Sequence, residues 1–96
     1  MSDEAYALSL APSARRLLTE APPRGLPLAV AAAVTGFVTG SLLENPHRVG
    51  KRLLRELEGY YSARRGAYRV LYRIDEGART VYMVRIDHRS DVYRPH

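Results

Sequence analysis

Cysteine is absent from the 96 residues. No disulfide can staple the fold, and no thiolate can ligate a metal or act as a nucleophile. A reducing compartment suits such a chain, and the acidic, polar first residues do not read as a signal peptide, so a cytoplasmic location is expected. No Cys/His cluster is spaced for zinc, no helix carries paired histidines, and no glycine-rich loop is arranged to cradle a nucleotide phosphate. Ser62 has no neighbouring acid–histidine pair of the hydrolase kind. Lysine is nearly absent: Lys51 stands against fourteen arginines. Arginine is the better fork for phosphate, although a GC-rich genome also inflates arginine and alanine, and composition alone does not separate the two causes. Charge is missing altogether from Leu26 to Leu43. That run has about the minimum length of a membrane span, but its alanines together with Pro27, Thr35, Gly36, Thr39, Gly40 and Ser41 weaken its transfer energy. A helix covered by a sheet or a partner explains it better.

What is present bounds the chain to one domain, residues 1–96, with one modest core. Apolar residues make up 46% of it, and the net charge is +5. The charge is uneven. Residues 1–44 set Arg15, Arg16 and Arg24 against Asp3, Glu4, Glu20 and Glu44, a net of −1; residues 45–96 set twelve basic residues against six acidic ones, a net of +6. A basic half suggests a polyanionic partner, either nucleic acid or an acidic protein segment.

The order of elements follows from periodicity. Tyr6 to Ala11 reads as a strand. Pro12 suits the first turn of a helix, and Ala14, Leu17, Leu18 and Ala21 recur at helical spacing until Pro22-Pro23 stops it. A second helix is expected from Pro27 to Leu43, ended by Asn45-Pro46, which makes a helical hairpin. His47 to Glu58 reads as loop or irregular extended chain, with His47 a loop or cap residue. Tyr60 to Arg64, Ala67 to Asp75 and Thr80 to Asp87 read as three strands of a meander, joined by Arg65-Gly66 and by Glu76-Gly77-Ala78.

The last hairpin invites a register. Pairing Ile74 with Thr80 sets Tyr72 against Tyr82, Val70 against Val84 and Tyr68 against Ile86, which gathers the apolar residues on one face. It also places Arg69 opposite Arg85 and Arg73 opposite Val81. Two readings of the arginine pair stand: an anion held between them, or two solvated cations splayed apart or paired with Asp75, Asp87 or Asp91.

Four stretches carry a resemblance. They are Asn45-Pro46-His47-Arg48-Val49-Gly50-Lys51-Arg52-Leu53; Leu57-Glu58-Gly59; Ser62-Ala63-Arg64-Arg65-Gly66-Ala67-Tyr68-Arg69-Val70-Leu71-Tyr72; and His88-Arg89-Ser90-Asp91-Val92-Tyr93. In that order, after a strand and a helical hairpin, they resemble the successive blocks of the RelE/ParE superfamily. The Gly-x-Tyr-Arg-Val-x-Tyr and His-Arg-x-Asp-Val-Tyr blocks together point to its RelE branch. The resemblance implies an α+β fold: an N-terminal strand, a helical hairpin, then an antiparallel three-stranded meander with the helices on one face. It implies the toxin of a toxin–antitoxin pair, which inhibits translation by cutting mRNA in the ribosomal A site with the RNA's own 2′-hydroxyl as nucleophile, without metal or other cofactor. The implied partners are a cognate antitoxin and mRNA on the ribosome with 16S rRNA contacts.

Residue by residue, Arg69 matches the family's strand arginine, the expected phosphate clamp, and Arg89 the cation before the C-terminal segment. Tyr93 matches the C-terminal tyrosine, which stacks on a base or assists proton transfer; its plain alternative is a tyrosine closing the core. The best-characterised members carry two lysines on the strand that here reads Tyr60-Tyr61-Ser62. Their part falls to Arg64, Arg65 and Lys51, with Arg73 and Arg85 as further RNA contacts. His88 is a general acid/base candidate, since an imidazole titrates near neutrality, or a strand-end residue without catalytic duty. The competing functions are inhibition of DNA gyrase without catalysis, as in ParE-type relatives, and a degenerate toxin that only binds its antitoxin. The antitoxin is expected to lay an acidic segment over the basic face and to use an apolar strip of the uncharged helix.

Overall fold

Proline, glycine and apolar spacing divide the chain as follows in a computed structural model that describes residues 5–88. Strand β1 is Ala7–Leu10. Helices α1 (Pro12–Thr19) and α2 (Leu28–Thr39) follow, then two single-turn helices, α3 (Ser41–Glu44) and α4 (Pro46–Val49). Strand β2 is the two-residue Lys51–Arg52, a 3-10 turn spans Arg55–Leu57, and the chain continues through β3 (Tyr60–Arg65), β4 (Tyr68–Asp75) and β5 (Thr80–His88).

Pro12 opens α1, where its missing N–H costs nothing. The link from α1 to α2 folds back so tightly that a Cβ on Gly25 would sit 1.7 Å from the Glu20 carbonyl oxygen. The helix expected to run unbroken to Leu43 divides at Gly40, where a Cβ would sit 2.9 Å from the Gly36 carbonyl oxygen. The break turns Leu42 and Leu43 inward, and both are buried. No described helix is long and apolar enough to cross a membrane.

The five strands form one sheet in the order β1-β5-β4-β3-β2, with β1 parallel to β5 and the other neighbours antiparallel. Strand β2, in the stretch read as irregular, extends the meander at its far edge. Helix α1 lies on β5, and α2 reaches β3. Between helices and sheet sit Ala14, Ala31, Val34, Val38 and Leu42, facing Ala63, Val70, Tyr72, Val81, Met83 and Ile86. Full burial of each larger side chain contributes about 1.5–3 kcal/mol, which must offset the ordering of the chain.

The expected hairpin register is wrong. Ile74 pairs with Val81 and Tyr72 with Met83; beyond a bulge, Leu71 pairs with Arg85, Val70 with Ile86, Arg69 with Asp87 and Tyr68 with His88. Val81, Met83 and Ile86 therefore face the helices, while Tyr82 and Val84, expected in the core, are only half-buried. In a regular ladder, turning Val81 and Met83 inward would carry Arg85 inward as well. The bulge removes that penalty: one extra residue between Met83 and Ile86 turns both inward and leaves Arg85 outside.

Candidate nucleic-acid interface

Residues paired across a ladder share a face, and alternate residues of a strand return to it. Arg64 on β3 is directly opposite Arg69 on β4, and Lys51 on β2 is opposite Ser62, two residues before Arg64. These four therefore project from the sheet face that the helices leave open. With Val49, Gly50 and Leu53 they line a groove of about 440 Å³. Three cations and one hydroxyl meet there, and no described carboxylate is among the lining residues. Such a lining is suited to an anion. A guanidinium plane can grip phosphate oxygens in pairs.

The ladder that holds Arg64 and Arg69 gives them a rigid base, whereas Lys51 depends on the loop before it. That loop is fixed from inside the core. The Tyr72 hydroxyl donates to the Pro46 carbonyl at 2.6 Å, and a Cβ on Gly50 would meet the same hydroxyl at 2.1 Å. Burial pushes the Tyr72 phenol up to about 12, with the neighbouring Tyr61 phenol adding to the rise and a hydrogen bond from the Gly50 backbone opposing it. Tyr61 stacks on Tyr72 with ring centroids 5.5 Å apart. Its hydroxyl lies 3.2 Å from His47 Nδ1, and His47 Nε2 contacts the Glu76 carboxylate, which also accepts from the Tyr6 hydroxyl at 2.8 Å. His47 thus ties α4 to the β4–β5 turn, a role its loop-or-cap reading missed. Hydrogen bonds from His47 and then Tyr6 hold the Glu76 carboxyl below the usual carboxylate range, and the same carboxylate raises the Tyr6 phenol.

The residues singled out in the sequence separate into groups. Lys51, Arg64 and Arg69 converge on the groove. Arg73 lies on the same open face, four residues along β4, with its guanidinium carbon 4.3 Å from the Tyr82 ring centroid. Arg85 is not opposite Arg69, as the expected register had it; its Nε donates to Asp87 at 2.9 Å, and Asp87 is the residue that pairs with Arg69. Arg73 is opposite Tyr82 rather than Val81. Arg65 turns to the helix side, 5.9 Å from the Phe37 ring. His88 closes β5 with its backbone opposite Tyr68. Arg89 and Tyr93 lie outside the described residues. The sequence reading passed over Ser62, Val49 and Leu53; only the pairing of β2 with β3 could have revealed them, and a two-residue strand leaves no periodic signal.

With this geometry in place, the chain can be compared with known proteins. The family model described as "ParE toxin of type II toxin-antitoxin system, parDE" matches residues 9–93. Toxin RelG of Mycobacterium tuberculosis is 51% identical over 89 residues, covering 93% of this chain and 97% of that protein. Toxin RelE of the same organism is 46% identical over 92 residues, covering 96% and 90%. Among solved structures, the toxin–antitoxin complex RelBE2 of M. tuberculosis superposes with a TM-score of 0.76 at 48% identity, over 94% of this chain and 98% of the matched one. The intact E. coli RelBE complex, at 19% identity and a TM-score of 0.69 over 88% and 96%, shares the fold.

Proposed function

The chain belongs to the RelE/ParE family of toxins of type II toxin–antitoxin systems, on its RelE branch, and from that premise we propose that it is an RNA endonuclease that cuts mRNA in the ribosomal A site. The observation that carries this reading is the facing pair Arg64 and Arg69, with Lys51 beside them, on an open sheet face. In the reaction the RNA 2′-oxygen attacks the adjacent phosphorus, the bond to the 5′-oxygen breaks, and a 2′,3′-cyclic phosphate remains. The 2′-hydroxyl proton must leave and a proton must reach the departing 5′-oxygen. Arg64 and Arg69 neutralise the charge that grows on the phosphorane oxygens, where fixed donors have most effect. Among the described residues the groove lining holds no carboxylate or histidine, and His88 and the expected C-terminal residues Arg89 and Tyr93 are the candidates for proton transfer and base stacking.

A cognate antitoxin is part of this proposal, by analogy with the relatives solved as toxin–antitoxin complexes. Inhibition of DNA gyrase without catalysis is the second reading, favoured by the ParE description of the matching family model. Purified ribosomes programmed with a defined A-site codon decide between them. Cut mRNA ending in a cyclic phosphate is the expected result; intact mRNA together with inhibited gyrase supercoiling would replace the first reading with the second.

A further inference from the structure

Away from the groove, the open face carries a row of planar side chains. Arg73 pairs with Tyr60 on β3 and with Tyr82 on β5, so the three stand side by side across three strands. The Arg73 guanidinium lies against the Tyr82 ring at 4.3 Å. Arg73 is exposed, and both tyrosines are half-buried. Asp75, the next acid along this face of β4, accepts from the Ala78 backbone N–H at 3.0 Å in the turn. Among the described residues Arg73 has no carboxylate partner. Standing between the two tyrosines on the ladder, the exposed guanidinium leaves the row open to solvent.

A tyrosine beside an arginine can simply cover the arginine's stem. Here the placement argues for more. Arg69, Leu71 and Arg73 are successive outward residues of β4, so Arg73 lies about 13 Å from Arg69 along one strand. Between them Leu71, half-buried, gives an apolar floor. Lys51, Arg64, Arg69, Arg73 and Arg85 outnumber Asp75 and Asp87 on this face and leave it net cationic, complementary to a phosphate backbone. We infer that Tyr60, Arg73 and Tyr82 form a stacking platform for a base of the same RNA strand whose phosphate the Arg64–Arg69 groove holds. The inference rests on the RNA reading above and adds a second subsite to it. Every base has a π-face, so an aromatic ring and a guanidinium plane accept any of them. The platform therefore supplies affinity and register, not sequence choice. An acidic peptide would use the cations of this face and leave its planes unused.

The chain lacks tryptophan, so Tyr82→Trp introduces a single fluorescent reporter at the platform. A short single-stranded RNA is expected to quench it, whereas inorganic phosphate and a glutamate-rich peptide of equal charge are not. Tyr82→Leu, with an unchanged melt, should bind that RNA roughly tenfold more weakly, the scale of one base–aromatic stack, and Tyr82→Phe should bind as the wild type does. Abasic substitution at one position of the RNA should weaken wild-type binding by the same factor and have no further effect on Tyr82→Leu. Equal quenching by the peptide, unaltered RNA affinity of a folded Tyr82→Leu, or no abasic position coupled to Tyr82 overturns the platform. Failure of the nuclease reading looks different: programmed ribosomes would stay uncut by the wild type while the abasic coupling persisted.

Discussion

Arg64 and Arg69 face each other directly across the β3–β4 ladder, two guanidinium groups with no acid among the residues that line their groove. Like charges in that position cost about 0.2–1 kcal/mol. An anion between them would reverse the sign, so the pair carries a small repulsion that anion binding would relieve. Arg69 has the more sheltered place, since its other neighbour is Asp87 on β5, and Arg64 is the exposed member of the pair.

Stability and activity should therefore move in opposite directions at Arg64. Arg64→Ala is expected to raise stability by a few tenths up to about 1 kcal/mol in thermal melts while slowing single-turnover mRNA cleavage on programmed ribosomes. A destabilised Arg64→Ala would show that the pair is not repulsive.

Arg69→Ala is expected to slow the same cleavage by about a hundredfold to a thousandfold, the loss of one oxyanion donor, with the fold intact. Arg69→Lys should recover only part of the rate, because it keeps the charge and loses the fork. Full activity of a folded Arg69→Ala protein would remove the clamp from the mechanism.

Gly50 and Tyr72 should behave as a coupled pair. Gly50→Ala drives a Cβ into the Tyr72 hydroxyl and should cost about 1–3 kcal/mol, the scale of overpacking. Tyr72→Phe leaves the Pro46 carbonyl without its donor, a loss of about 1–3 kcal/mol. The double variant should be less unstable than the sum, since removing the hydroxyl takes away the closest of the new contacts and leaves the ring carbon at 2.9 Å. Strict additivity in denaturant titrations would contradict the contact.

The acid limb of the stability curve should carry Glu76. Its carboxyl is held below the usual range in the folded protein by His47 and Tyr6, so as pH falls the unfolded chain takes up the proton first. The stabilisation is whole above the ordinary glutamate range and is lost as pH drops through the lowered folded value. Melts of wild type and Glu76→Gln through that range should show a flatter limb for the variant; superimposable limbs would count against the contact.

At the alkaline end Tyr72 works in the opposite direction. Its folded value of about 12 lies above the ordinary 10.0. The stabilisation is complete below the ordinary value and declines as pH rises from there through the folded one, by about 2–3 kcal/mol in all. Ultraviolet titration should show a phenol ionising near the folded value of about 12, and Tyr72→Phe should remove that step.

Much of the architecture was legible because it is periodic. The helical hairpin, the three meander strands and the outward placement of Arg69 follow from spacing alone. The register of β5 was not legible, because a bulge changes the alternation of Met83, Val84, Arg85 and Ile86 and so reverses which residues before it face inward. The break at Gly40 was hidden by the apolar residues on both sides of it. At the site, Arg64 and Lys51 entered through family resemblance, while their meeting with Arg69 depends on a two-residue strand. The His47–Glu76 link joins residues with no local pattern in common, and its aromatic neighbours could equally have been ordinary core.

The pairing of β1 with β5 also has a consequence for biosynthesis. Ala7 is opposite Thr80, and Leu10 is opposite Met83. A nascent chain can close the β3–β4 hairpin from neighbouring residues, but its first strand has no partner in the sheet until translation passes residue 80, and α1 has no β5 to rest on. Contacts this distant in sequence form late and slowly. Termination anywhere before Thr80 would thus release a polypeptide whose opening strand and helix lack a sheet to join, a substrate for quality-control proteolysis rather than a weaker form of the folded protein.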